Sequence, residues 1–196
     1  MVEVSWFVED GTIFQMGNLV RSQDYIGRCD RLCDAVSLVR MHAVLQRASA
    51  VRAQVGARSG VAAAAREQRV RVALEHALAN AELEPHQIDF VETHGTGTPL
   101  GDPIEVSAIA RILCKDRTKP LYLGAVKANV GHLDSAAGIA GLMKVVLSLQ
   151  NNTIPLHLNY SKPNRHIPWE DWPIKIPTEN TAWDGDERFA GISAFG

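Results

Sequence analysis

"IDFVETHGTGTPLGDPIEVSAIARIL", residues 88–113, couples a short apolar run to a helical pattern through a turn of glycines and threonines. The run "IDFVET" is of strand type, apolar without clean alternation, as in a strand covered on both faces. Beyond the turn, Asp102 stands where an N-cap belongs, with Pro103 at the first helical position and Glu105 at the third. Together they read as a proline-bearing capping box that starts a helix from Pro103 to about Leu113.

The neighbouring segments extend this unit in both directions. Upstream, Val72, Leu74, Ala77, Leu78 and Ala81 approximate one apolar helix face, and "LEPHQ" turns the chain into the strand. Downstream, "PLYLGAVKA" reads as a second buried strand. "SAAGIAGLMKVVLSLQ" comes next as a helix apolar on nearly every side, which is expected to be buried by other elements. "FAGISAFG" closes the chain as a further strand. "NNTIPLHLNYSKPNRHIPWEDWPIKIP" (151–177) is a proline-punctuated connection, mostly loop. Strands alternating with helices imply an α/β sheet covered on both faces.

Composition narrows the function classes. The 196 residues are 46% hydrophobic and 21% charged, enough for one buried core. A formal net charge of -2 supplies no basic excess for nucleic acid or an anionic membrane. Three cysteines, Cys29, Cys33 and Cys114, are too few and too scattered for a disulfide framework, so a cytoplasmic location is expected. Cys29 and Cys33 have no second pair to complete a zinc site, and no metal is expected. No apolar run reaches the length of a membrane span. Residues 27–66 differ in character: "VRAQVGARSGVAAAAREQRV" is nearly low-complexity, rich in alanine and arginine, and reads as solvated helix or irregular chain.

The chemistry gathers around two histidines. His94 ends a buried strand and faces a turn, where α/β folds present ligand-facing groups. Gly95, Gly97 and Gly101 allow tight backbone paths, and the hydroxyls of Thr96 and Thr98 can hydrogen-bond a ligand amide or carbonyl. The spacing matches neither a P-loop nor a dinucleotide fingerprint. His132, in "VKANVGHLDSAAGIAG", precedes a helix start whose field opposes ring protonation and favours an anion beside it. Lys127 adds a positive charge from the end of the preceding strand. Two neutral imidazoles on one carbonyl would make an oxyanion or enolate site.

"VETHGTGTPLGDPIE", "GAVKANVGHLDSAAGIAGLMKVVLSL" and "GISAFG" resemble the C-terminal half of the ketosynthase domain of modular type I polyketide synthases, a β-ketoacyl synthase of thiolase fold. The resemblance covers about residues 67–196 and leaves residues 1–66 as a divergent N-terminal segment. It implies a thiolase-like layered α/β fold, of which the C-terminal half is expected here. By this resemblance His94 and His132 match the histidines that assist decarboxylation of a malonyl-type thioester and stabilise the resulting enolate. Lys127 matches the lysine before the second histidine. Thr96 and Thr98 match threonines that bind the phosphopantetheine arm of an acyl carrier protein. The implied partners are that carrier protein and a second synthase chain or copy, with no cofactor held by this chain itself.

The departures concern the nucleophile. The family's cysteine lies in a Thr-Ala-Cys-Ser-Ser type elbow, whereas here the contexts are "GRCDR", "RLCDA" and "RILCKD". Without a reactive thiolate an acyl chain has no site to load. Residues 27–66 show arginine and alanine where the family has a glycine-rich strand region, as a shifted reading frame or a decayed segment would. The expectation is therefore a truncated or degenerate ketosynthase. The competing reading is a non-catalytic half-domain that associates with an intact ketosynthase or a carrier protein.

Overall fold

The computed structural model describes residues 3–9, 12–13, 40–46 and 60–195. Its centre is a seven-stranded mixed sheet made of β1 (Glu3–Glu9), β2 (Thr12–Ile13), β3 (Arg40–Gln46), β4 (Ile88–Glu92), β5 (Leu121–Gly124), β7 (Ile174–Lys175) and β9 (Phe189–Phe195). The order is β2-β1-β9-β4-β5-β7, with β3 also paired to β1. β4 runs parallel to β5 and β9, and β5 parallel to β7, while β1 is antiparallel to β9. A separate two-stranded pair joins β6 (Thr153–Ile154), at the start of the long connection, to β8 (Thr181–Ala182), just beyond its end.

Both faces of the central strands are covered, which is why β4 and β5 read as near-continuous apolar runs. On one face, α1 (Gly60–Ala81) and α2 (Gly101–Leu113) pack Val70, Leu74, Ala77 and Leu78 with Val106, Ile109 and Leu113 over Ile88, Val91, Leu121 and Leu123. On the other, α4 (Ala137–Gln150) lays Leu142, Val145 and Leu149 on Phe90, Ala190 and Ile192. Trp183 closes this second core, with its ring edge-on to Phe90 and its Nε1–H donating to Asp89 at 3.1 Å. The α/β layering expected from the alternation is present. Among the described residues, no helix is long and apolar enough to cross a membrane.

Several boundaries and contacts differ from expectation for identifiable reasons. The buried face of α1 is Val70, Ala73, Leu74, Ala77 and Leu78, a regular i, i+3, i+4 stripe, and Val72 lies on its flank. Asp102 is not the N-cap of α2. The helix already begins at Gly101 with Leu100 at the N-cap, and the preceding turn is tied by its own side chains: Thr98 Oγ1 accepts the Gly101 N–H at 3.0 Å while Asp102 Oδ1 accepts the Thr98 N–H at 3.3 Å. Strand β5 stops at Gly124, so Lys127 opens the four-residue turn α3 (Lys127–Val130) instead of ending a strand. A 3-10 turn, Asp134–Ala136, precedes α4.

The expectation that α4 is buried on nearly every side is corrected. Ile139, Met143 and Leu147 are 55%, 61% and 55% exposed, an i, i+4, i+8 ridge facing away from the sheet. Only one side of the helix meets β4 and β9, and nothing among the described residues lies over the other. Within residues 27–66, the structure places strand β3 and the first turns of α1, so the division drawn at residue 66 falls inside a helix. The alanine run Ala62–Ala65 is helical, as its composition favours, whereas β3, with a single alanine, pairs with β1 along its whole length. Residues 27–39 and 47–59, with Cys29 and Cys33, lie outside the described residues.

Candidate active site

The site forms where β4 and β5 end side by side. The Thr93 N–H and Oγ1–H both donate to the Gly124 carbonyl, at 2.7 and 2.9 Å, which fastens the two strand ends together. The chain then enters left-handed backbone at Gly95 (φ +42°) and Gly97 (φ +74°). Gly95 is under a double constraint, because a Cβ there would lie 2.6 Å from both the Ala125 Cβ and the Thr93 Oγ1. This close approach brings the His94 turn against the loop that carries Lys127.

Glu105 holds the turn from the α2 side. It is 4% exposed, and instead of closing a capping box it reaches back to the strand end. Oε1 accepts the His94 N–H at 2.7 Å and Oε2 accepts the Gly95 N–H at 3.0 Å. Burial pushes its carboxyl up from the ordinary range, and the two backbone donors oppose that shift. A role for Glu105 outside helix capping was missed in the sequence. The available signal was an acid in the first turns of a helix just after a glycine-rich turn, where orphan N–H groups need an acceptor.

The two histidines are brought together. Their ring centroids are 5.2 Å apart at an interplanar angle of 82°, an edge-to-face pair. His132 comes directly after Gly131, itself at φ +76°, and its Nδ1 accepts the Asp134 N–H at 3.0 Å. A ring that accepts at Nδ1 carries its proton on Nε2, so His132 offers one N–H outward. Burial pushes the His94 imidazole down to about 4, helped by the charge of Lys127. His94 is therefore neutral at pH 7. Lys127 is half-buried; burial lowers its ammonium, and the nearby Glu105 and Glu92 carboxylates raise it.

His94 also predicts a pH dependence. Its folded pKa lies below the ordinary 6.5, so its contribution to stability is complete above that value and lost as the pH falls from about 6.5 toward about 4. An imidazole NMR titration should show one ring with a midpoint near 4, absent in His94→Ala. A midpoint above 6 for every ring would contradict the burial read here.

A cavity of about 890 Å³ opens beside these groups, lined by Thr96, Lys127, His132, His157 and Tyr160 among others, with His94 behind the lining rather than part of it. Thr98 is not among the lining residues, and its hydroxyl oxygen accepts the Gly101 N–H. His157 was not singled out in the sequence, since a lone histidine in a proline-rich loop has no local signature. Its Nδ1 accepts the Ala125 N–H at 3.3 Å, and its ring stands edge-on to Tyr160. Burial pushes the thiol of Cys114, the C-cap of α2, up to about 11, which disfavours the thiolate that a nucleophile needs.

The model of the family described as beta-ketoacyl synthase, C-terminal domain, matches residues 42–161. The chain belongs to this family. The match begins ahead of Glu67, so the β-ketoacyl synthase likeness takes in β3 and α1 as well as both histidines. Over 171 residues, 85% of the chain, it is 42% identical to the polyketide synthase GfsA of Streptomyces halstedii. Over 173 residues it is 43% identical to the spectinabilin polyketide synthase system protein NorB of Streptomyces orinoci. It spans 2% and 8% of those two proteins. Among solved structures, ketosynthase twelve of the bacillaene polyketide synthase of Bacillus amyloliquefaciens superposes with a TM-score of 0.64 at 34% identity, covering 75% of this chain and 26% of that one. The β-ketoacyl synthase fold, thiolase-like and layered, is thus shown for the part of it present here.

Proposed function

We propose that this chain performs the decarboxylation half of acyl-thioester condensation on a malonyl-type group carried by the phosphopantetheine arm of an acyl carrier protein. The observation that carries this reading is the edge-to-face histidine pair at 5.2 Å, with a neutral His94 and with His132 protonated at Nε2. Two neutral N–H donors aimed at a thioester carbonyl oxygen stabilise the negative charge that develops on it. In the step, the bond between the α-carbon and the free carboxylate breaks and carbon dioxide leaves. The electron pair moves into the enolate, and a proton from solvent completes an acetyl thioester. Lys127 adds positive charge nearby, and Thr96 hydrogen-bonds the pantetheine arm. Carbon–carbon bond formation further needs an acyl group on a cysteine, which in this reading another synthase chain supplies in a cytoplasmic complex. The chain is mixed with malonyl-carrier protein and carbon dioxide is monitored; release above the uncatalysed rate is expected, and release at background overturns the catalytic reading.

A second reading is favoured by the exposed ridge of Ile139, Met143 and Leu147. An apolar strip of this kind on a helix marks a surface that associates. In this reading the half-domain docks on an intact ketosynthase without turning over substrate. Light scattering of the chain mixed with a ketosynthase should then show a complex that Met143→Glu dissolves. A chain that stays monomeric and unbound at all concentrations would end this alternative.

A further inference from the structure

Glu92 lies two residues before His94, is 1% exposed, and is not among the residues that line the cavity beside the histidines. Its carboxylate has two partners from different elements. Oε2 accepts from Lys144 Nζ of α4 at 2.7 Å, and Oε1 accepts the backbone N–H of Val126, the residue before Lys127. The ammonium also lies 5.5 Å from the centroid of the Phe90 ring, over its face. Two glycines keep the space open. A Cβ at Gly124 would come 2.8 Å from Lys144 Nζ, and one at Gly141 would come 3.1 Å from Glu92 Cγ. Gly141 and Lys144, three apart on α4, address the same carboxylate.

A buried ion pair is a weak source of stability, because the desolvation of both charges offsets most of their attraction, and apolar residues of similar volume commonly do as well. What the pair provides here is connection. It joins the strand end that leads to His94, the loop that leads to Lys127, and the helix that comes after His132. We propose that Glu92 and Lys144 form a positioning clip that sets the separation and relative angle of the His94 and His132 rings. This inference rests on the decarboxylation reading for its functional consequence, though not for its geometry.

Two variants test it. Glu92→Gln keeps the shape of the side chain and removes the charge. The double variant Glu92→Met with Lys144→Met fills the volume with apolar atoms but leaves the Val126 N–H without its acceptor. Both are expected to fold by circular dichroism, with the double variant's midpoint lowered by no more than about 10 °C, the cost of one unsatisfied backbone N–H. Turnover of malonyl-carrier protein should nevertheless fall about tenfold to a hundredfold in kcat, with KM changed by less than about twofold, as for a misplaced catalytic group. The imidazole NMR signals of His94 and His132 should move in both variants. Those spectra need no turnover, so a wild-type chain that releases no carbon dioxide sinks the proposed function while the clip is still decided. Unmoved imidazole signals in both variants overturn the clip, as does a double variant with wild-type kcat.

Discussion

Replacing His132 by alanine is expected to lower carbon dioxide release from malonyl-carrier protein by about a hundredfold to a thousandfold, the usual loss when one oxyanion donor is removed. The reason is the tautomer. With Nδ1 accepting the Asp134 N–H, the Nε2 proton is fixed on the side of the ring that faces outward, and no side chain in alanine can replace it. His94→Ala should give a loss of the same order. The doubly substituted chain should fall little further, because two donors on one oxygen act as a unit and their effects do not add. The ring of His94 titrates near 4, so the wild-type rate should not depend on that group between about pH 5.5 and 8. Rates measured with saturating malonyl-carrier protein decide the matter. If the two single variants retain the wild-type rate while remaining folded, the rings do not hold the reacting oxygen.

Gly95→Ala should destabilise the fold by about 3 kcal/mol, combining the strain of a left-handed residue with overpacking against a fixed neighbour. The neighbour cannot yield easily. Ala125 is 3% exposed and its Cβ is the atom struck, while Thr93 Oγ1, the other atom struck, is bonded to the Gly124 carbonyl. In a chain of this size that corresponds to a lowering of the thermal midpoint by about 10 °C. Gly97→Ala provides the control. Gly97 is also left-handed, at φ +74°, but an added Cβ would meet nothing within 4 Å, so only the backbone strain of about 1 kcal/mol remains. Thermal unfolding of the two variants separates crowding from strain; equal midpoints would mean that the approach of the His94 turn to the Lys127 loop is not tight.

These two predictions depend on contacts with different visibility in the sequence. The glycines at 95 and 97 announce a turn by residue type alone, because few other residues tolerate that backbone. The clash that makes Gly95 the more sensitive of the two comes from Ala125, thirty residues away, and small apolar residues carry no mark of what they touch. Glu105 illustrates the same limit. Its position near a helix start suggested capping, a local use, whereas its carboxylate satisfies the turn that precedes the helix. Thr98, read as ligand-facing, also accepts the Gly101 N–H of its own turn, a local use that residue type alone does not reveal. Glu92 and Lys144 are separated by 52 residues, and nothing in either neighbourhood indicates that they meet.

Residue order alone settles that strands β4 and β5 are buried on both faces, that a helix comes after the glycine-threonine turn, and that His94 and His132 stand at chain reversals. Each of these is a short-range consequence of periodicity or of the conformational freedom of glycine. Three dimensions decide that the two rings lie edge to face, that Glu105 holds the turn rather than closing a capping box, and that one side of α4 is left apolar and exposed. Burial and partner choice are properties of the space between elements, and that space exists only once the parallel pairing of β4 with β5 has brought distant loops to the same end of the sheet.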